Sequence, residues 1–192
     1  MQMTLEEHKE RNARSKKMLL WFAIISMIMV FAGLTSGYIV SHSRPDWTGF
    51  VMPVAFWFST AAIVLSSLTF HLAKKNAQKG DRRAVTVYLL STLLLGILFV
   101  YFQFSGFDKM IASGLYLTGP TSTIATQFLY MFVVLHLAHL AGGLISLSIV
   151  IYNHFKQKYQ PGQTLGLELG AMFWHFLDFL WLYLFLFLYF FK

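Results

Sequence analysis

Five ionisable side chains stand in otherwise apolar stretches of the sequence: His136, His139, Glu168, His175 and Asp178. Histidine can bind haem or a metal ion, and histidine beside a carboxylate can form a proton relay or a charge-assisted hydrogen bond. Catalysis by this chain is a weaker interpretation, because the sequence has no Gly-x-Ser-x-Gly, His-Glu-x-x-His or glycine-rich phosphate loop. The elements that carry the five side chains decide among these chemistries.

The composition indicates that these elements lie in a membrane. Hydrophobic residues make up 57% of the 192 residues and charged residues only 12%, whereas soluble domains carry about 25% charged residues. These values exclude a soluble enzyme, a disordered protein and a nucleic-acid-binding protein. The absence of cysteine also excludes disulfides, thiolate catalysis and cysteine-bound metal sites.

Long gaps between charged residues predict five transmembrane helices, since about 20 apolar residues cross a bilayer. Barrel strands would alternate polar and apolar residues, whereas stretches such as residues 180–191 are apolar at almost every position. We therefore predict an all-α fold in which a basic tail, residues 1–17, precedes one transmembrane domain, residues 18–192. The predicted helices cover about residues 18–40, 51–72, 84–104, 123–152 and 167–190.

The basic residues predict the orientation of the chain. Twelve of the 15 lysines and arginines lie in the tail and in the loops 73–83 and 153–165, all on one side of a five-helix protein. The positive-inside rule then places the N-terminus in the cytoplasm and the C-terminus outside. The net charge of +7 is explained by this topology and by contact with anionic lipid, and not by nucleic-acid binding.

The five ionisable side chains fall on two helix faces. Glu168, His175 and Asp178 share one face of the fifth helix, where His175 and Asp178 are close enough to hydrogen-bond. His136 and His139 share a face of the fourth helix with two small residues, Gly142 and Gly143, that allow a neighbouring helix to approach closely. The second helix has a weaker pattern of small polar residues at Ser66, Ser67 and Thr69. A satisfied hydrogen-bond network between helices is the leading interpretation, with haem ligation, a metal site or a proton relay as alternatives. We expect the rest of the phenylalanine-rich fifth helix to face lipid or a partner.

Two motifs resemble a known family. One is His136-Leu-Ala-His139-Leu-Ala-Gly142-Gly143, and the other is Trp174-His175-Phe176-Leu-Asp178-Phe-Leu-Trp181, with Glu168 seven residues before His175. Both are similar to motifs of subunit III of the haem–copper terminal oxidases, in its short five-helix bacterial form. Weaker matches follow in the same order, so the resemblance covers about residues 18–191.

The resemblance implies an accessory, non-redox subunit in an inner-membrane complex that reduces O2 to water and pumps protons. Such a subunit stabilises the catalytic subunit, supports its proton uptake and binds structural phospholipid. The haem and copper then belong to the catalytic subunit, and this chain holds no catalytic residue and no metal ligand. The implied partners are the catalytic subunit, other oxidase subunits and phospholipid, and membership of a respiratory supercomplex stays open.

The resemblance, taken with the two faces, also gives each site residue a role. The five ionisable residues form a structural network within the membrane, Gly142 and Gly143 pack helices together, and Glu168 and Trp181 contact lipid. Two other functions remain as alternatives. A stand-alone membrane haem protein would use His136 or His139 as a ligand, and a small proton-coupled transporter would use Glu168 and Asp178.

Overall fold

The computed structural model describes residues 5–45, 47–119, 122–159 and 164–191. They form five helices: α1 (Leu5–Ser41), α2 (Ala55–Lys79), α3 (Arg82–Ala112), α4 (Ile124–Phe155) and α5 (Leu165–Phe190). All five are long and apolar enough to cross a membrane, and the described residues contain no strand. The prediction of an all-α bundle with five membrane-spanning helices is confirmed.

The helices extend beyond the apolar stretches that revealed them. α1 contains 37 residues, about 55 Å of helix, whereas the hydrocarbon core of a bilayer is about 30 Å thick. It begins at Leu5, within the basic tail, because glutamate, lysine and arginine are good helix formers. α3 likewise continues past Asp108 and Lys109 to Ala112. The gaps between charges thus mark the apolar part of each helix and not its ends.

A tight turn joins α2 to α3. Gly80 has a φ of +79°, a left-handed conformation that suits glycine, and its N–H donates to the Ala77 carbonyl at the end of α2. The next residue, Asp81, caps α3, since its carboxylate accepts a hydrogen bond from the Ala84 N–H at 3.1 Å. Two residues therefore end one helix and start the next, which makes α2 and α3 an antiparallel pair.

The last helix lies at the centre of the bundle. The backbone of α5 approaches those of α1, α2 and α4, that of α3 approaches α2 and α4, and that of α1 also approaches α4, whereas no Cα atom in the described part of α1 lies within 8 Å of one in α2. Side chains of α3 also reach α5, since Phe99 packs against Trp181. In the most apolar window of α5, 56% of the residues are buried, against 22–44% in the other four helices. The expectation that most of α5 faces lipid or a partner is therefore wrong. A helix that is apolar on all sides suits the interior of a bundle as well as its surface.

Candidate functional site

Two tryptophans of α5 donate hydrogen bonds to hydroxyl groups of α2. Trp174 Nε1 donates to Ser66 Oγ and Trp181 Nε1 donates to Thr60 Oγ1, each over 3.0 Å. The tryptophans are seven residues apart, so they lie two turns apart on one side of α5. Since hydrocarbon offers no competing water, these two bonds fix the register of α5 against α2.

The position of Trp181 corrects the prediction that it contacts lipid. Its side chain is 2% exposed and lies inside the bundle. The indole packs edge-on against Phe99, with ring centroids 5.1 Å apart, and lies 5.2 Å from the ring of His136. The interior position is favourable because the N–H of the indole bonds to the Thr60 hydroxyl while its apolar ring packs against these other rings.

His175 bonds to α2 and not to its neighbour on α5. Its Nδ1 lies 2.7 Å from Ser67 Oγ, and its ring lies 6.3 Å from that of His71. The expected hydrogen bond between His175 and Asp178 is absent, because the imidazole is directed at Ser67. Asp178 is only 5% exposed, and its carboxylate is buried beside the same Ser67 hydroxyl without a hydrogen bond of full geometry to any described residue.

The two histidines of α4 contact different neighbours. His136 is fully buried against the rings of Phe99 and Trp181, and neither of its ring nitrogens has a hydrogen-bond partner among the described residues. His139 Nδ1 lies 2.7 Å from the carbonyl oxygen of Leu135 in its own helix, and its ring packs against Phe31 of α1. The expected hydrogen bonds from these histidines to neighbouring helices are therefore not formed, because both rings meet aromatic surfaces.

Glu168 lies apart from the other ionisable residues, in the first turn of α5. It accepts a hydrogen bond from Thr164 Oγ1 over 3.0 Å. Its other carboxylate oxygen lies 3.7 Å from Lys17 Nζ of α1, and both side chains are partly exposed. A carboxylate in the first turn also interacts favourably with the helix dipole. Glu168 thus belongs to a polar helix end, and the five ionisable residues do not form one network.

The two adjacent glycines of α4 differ in what surrounds them. A Cβ added at Gly143 would lie 2.6 Å from Leu177 Cδ1, which shows how closely α4 and α5 approach there. A Cβ added at Gly142 would have no atom within 4 Å. Gly143 therefore packs helices as predicted, whereas Gly142 faces away from the contact, because successive residues of a helix point about 100° apart.

Several polar contacts between helices involve residues to which the sequence analysis gave no partner. Gln103 of α3 donates to Ser59 of α2, Thr69 of α2 pairs with Thr92 of α3, and Thr86 of α3 pairs with His154 of α4. A signal for the α2 contacts does exist in the sequence. The hydroxyl residues at 59 and 66, and at 60 and 67, recur at a spacing of seven, which is typical of one helix face.

A groove of about 370 Å³ lies where α1 separates from α4 and α5. Gly142 lines it without a protein atom near its Cβ position, Leu20 of α1 forms one edge, and Asn153 and Tyr159 supply polar groups at one end. Burial raises the pKa of the Tyr159 hydroxyl, which therefore stays neutral. The groove combines apolar walls with a polar end, a shape that suits an amphipathic molecule.

The described residues contain no group of three or more His, Cys, Asp or Glu side chains that could hold a metal ion. The site residues instead hold helices together through indole, imidazole and hydroxyl contacts.

Comparison with known proteins identifies the family. The cytochrome c oxidase subunit III family model matches residues 4–192. The chain is 29% identical over 178 residues to a probable cytochrome c oxidase subunit 3 of Nocardia farcinica, covering 90% of this chain and 85% of that one. It is 26% identical over 170 residues to the cytochrome bo(3) ubiquinol oxidase subunit 3 of Pseudomonas aeruginosa, covering 86% and 79%. The corresponding subunit of Buchnera aphidicola is 26% identical over 186 residues, covering 94% and 96%.

These matches span nearly the whole chain, all five helices and both motifs that carry the resemblance. They favour an oxidase subunit over a stand-alone membrane haem protein or a transporter. The protein belongs to the cytochrome c oxidase subunit III family and is a membrane-spanning subunit of a haem–copper oxidase.

Proposed function

We propose that this chain is the accessory, non-redox subunit of a proton-pumping oxidase, in which it stabilises the catalytic subunit and supports its proton uptake. The observation that carries the proposal is that three residues of the second motif are used in packing: Trp174, His175 and Trp181 all bind hydroxyl groups of α2. Side chains occupied in this way hold a rigid bundle in shape. The role in proton uptake is inferred from family membership.

Haem and copper belong, in this proposal, to a partner catalytic subunit. The electron donor is cytochrome c or quinol, since relatives of this chain are named as subunits of both kinds of oxidase. The complex lies in the bacterial inner membrane, with the N-terminus in the cytoplasm and the C-terminus outside. The 12-to-3 distribution of basic residues between the two sides supports this orientation.

Purification through a tag on this chain tests the proposal. In mild detergent, we expect a large subunit that carries haem and copper to co-purify with the chain, and the complex to consume O2. A chain that is isolated alone with one haem of its own would instead support a membrane cytochrome. A chain that is isolated alone and without colour would support a transporter. Either result would overturn the assignment to an oxidase complex.

The stabilising role predicts a change in the lifetime of the oxidase during turnover. In the His175→Ala variant, the bond to Ser67 is lost, so α5 is held less firmly and the complex should lose activity in fewer turnovers. Thr86→Ala, which removes a contact between α3 and α4, serves as a control for general loss of a hydrogen bond. Unchanged assembly, activity and turnover lifetime in His175→Ala would contradict the role given to this residue.

A structural phospholipid is part of the proposal, and the groove beside Gly142 is the candidate site. Its polar end carries Asn153 and Tyr159. The Lys17–Glu168 ion pair, which links α1 to the first turn of α5, adds charged groups near this end. A lipid headgroup would bind there, while the acyl chains fill the apolar part. The Gly142→Leu variant would fill the groove without meeting any protein atom at its Cβ. We expect fewer phospholipids per complex by mass spectrometry in Gly142→Leu than in Gly33→Leu. Gly33 is the matched control, since it is also an open helical glycine but lies outside the groove. Equal lipid content in both variants would contradict this location.

A further inference from the structure

Asp178 is the one acidic side chain that is buried in the described part of the chain. It lies 13 residues after the first residue of α5, about 20 Å along the helix axis, and the hydrocarbon core is about 30 Å thick. A carboxyl group at such a depth requires hydrogen-bond partners, because neither lipid nor an apolar core provides any. The polar group beside it is the hydroxyl of Ser67 on α2.

The Ser67 hydroxyl stands between Asp178 and His175. Its Oγ lies 2.7 Å from His175 Nδ1, and it borders the Asp178 carboxyl group. A serine hydroxyl can donate one hydrogen bond and accept two, so a small rotation of the side chains lets it bond to both neighbours at once. The three side chains therefore form a row that leads from a buried carboxyl group to a half-buried imidazole. We call it the Asp–Ser–His row.

The number of donors in the Asp–Ser–His row favours a protonated Asp178. When the Ser67 O–H donates to His175 Nδ1, the oxygen of Ser67 is left to accept, and the carboxyl group can donate to it only in its acid form. When Ser67 donates to an ionised Asp178 instead, one donor faces two carboxylate oxygens, and the cost of burying the charge is largely uncompensated. The neutral acid is therefore the form that completes the hydrogen bonds of the row.

The histidine end of the row reaches the surface of the bundle. The ring of His175 lies 6.3 Å from that of His71, which is exposed on α2. Lys74, three residues after His71, also faces His175 from α2. Both residues belong to the last turns of α2, before the basic loop 73–83 leads on to α3. The row thus connects the middle of the membrane with the basic end of α2.

We propose that Asp178 is a proton-binding site within the membrane, which exchanges its proton with the surface through Ser67 and His175. On release, the O–H bond of Asp178 breaks and its proton passes to Ser67 Oγ, while Ser67 gives its own proton to His175 Nδ1. The imidazolium then loses the proton on Nε2 toward His71 and water, and uptake follows the reverse order. Each step moves a proton and no electron. The use of this site in proton uptake rests on the proposed function, whereas the site itself consists of residues of this chain alone.

Infrared spectroscopy of the oxidase, purified through a tag on this chain, tests the site. A protonated carboxyl group has a C=O stretching band that a carboxylate lacks, and this band shifts when deuterium replaces the proton. We expect the difference spectrum between the unsubstituted oxidase and Asp178→Asn to contain such a band at neutral pH. Asp178→Glu keeps the acid, so it should shift the band and not remove it, and it repeats the test should Asp178→Asn fail to assemble. The absence of any acid band that responds to these substitutions would overturn the proposal.

The rate at which this band shifts in D2O tests the route. Ser67→Ala removes the hydroxyl between the acid and the imidazole, so we expect the shift to be at least several-fold slower than in the unsubstituted oxidase. Ser66→Ala is the matched control, because Ser66 is the adjacent serine and its loss also removes a bond to α5, that with Trp174, outside the row. Equal rates in Ser67→Ala and Ser66→Ala would overturn the route through Ser67.

The outcomes separate this inference from the proposed function. An intact, active oxidase without an acid band from Asp178 would overturn the proton-binding site alone. A tagged chain that brings no oxidase subunit with it would overturn the proposed function, while an acid band that depends on Asp178 in the same sample would still support the site.

Discussion

Gly96 of α3 lies against the indole of Trp174, and we expect an alanine at this position to destabilise the bundle. A Cβ at Gly96 would lie 2.9 Å from Trp174 Cη2 and 3.2 Å from Cζ2. The indole cannot move aside freely, because it is 1% exposed and its Nε1 is bonded to Ser66. Forcing additional volume into a packed core costs about 1–3 kcal/mol.

Gly142→Ala is the matched control for this prediction. Both substitutions replace a glycine within a helix, which by itself stabilises a helix by roughly 0.5–1 kcal/mol. A Cβ at Gly142 has no atom within 4 Å. Because the backbone effect is common to both variants, their difference isolates the collision with the indole. We expect the free energy of unfolding of Gly96→Ala to lie about 1–3 kcal/mol below that of Gly142→Ala.

Titration of the purified protein with sodium dodecyl sulfate in mixed micelles measures this difference. Helix content and tryptophan fluorescence report the transition, and the midpoint should fall in Gly96→Ala and stay the same or rise in Gly142→Ala. Equal midpoints, or a higher midpoint for Gly96→Ala, would refute the close packing of α3 against Trp174.

Three further predictions use the same titration. The His136→Phe variant should have an unchanged or higher midpoint, since the ring nitrogens of His136 are buried without partners among the described residues. Burying such a polar group without a hydrogen bond costs about 1–3 kcal/mol. A clear fall in the midpoint would show that His136 has a partner. A double-mutant cycle of Trp174→Phe and Ser66→Ala should give a coupling energy of about 0.5–1.5 kcal/mol, and a value of zero would argue against their hydrogen bond. Lys17→Gln should lower stability by less than about 1 kcal/mol, and less at high salt, because its contact with Glu168 is partly exposed; a larger or salt-independent loss would contradict this estimate.

The sequence predicts the five helices well, for a physical reason. Charged residues are excluded from the hydrocarbon core, so the number of long uncharged stretches gives the number of membrane-spanning helices. The same pattern does not predict the helix ends at Leu5 and Ala112, because water and headgroups tolerate a charged helix. It also does not place α5, since a helix that is apolar on every side has no face that distinguishes the core from lipid.

The sequence identifies residues of the candidate site but not the residues that they contact. The motif residues Trp174, His175 and Trp181 do lie at the contact of α5 with α2, but their partners are hydroxyl groups on another helix, and pairing between helices requires knowledge of their packing. His136 and His139 share a face by spacing, yet three residues correspond to a rotation of about 60° from perfect alignment. That angle is enough for one ring to meet Phe99 and Trp181 and the other to meet Phe31.

The central position of α5 has a consequence for how the chain is made. The ribosome makes α5 after the other four described helices, so the helix that joins α1, α2 and α4 enters the membrane after all of them. Until then α4 is the one described helix whose backbone comes close to that of α1. The C-terminal part of α1 is also held by the last described residue, since Tyr38 donates a hydrogen bond to the carbonyl oxygen of Phe191. A nascent chain that stops before α5 therefore lacks its core, and only a chain translated through α5 can form the five-helix bundle.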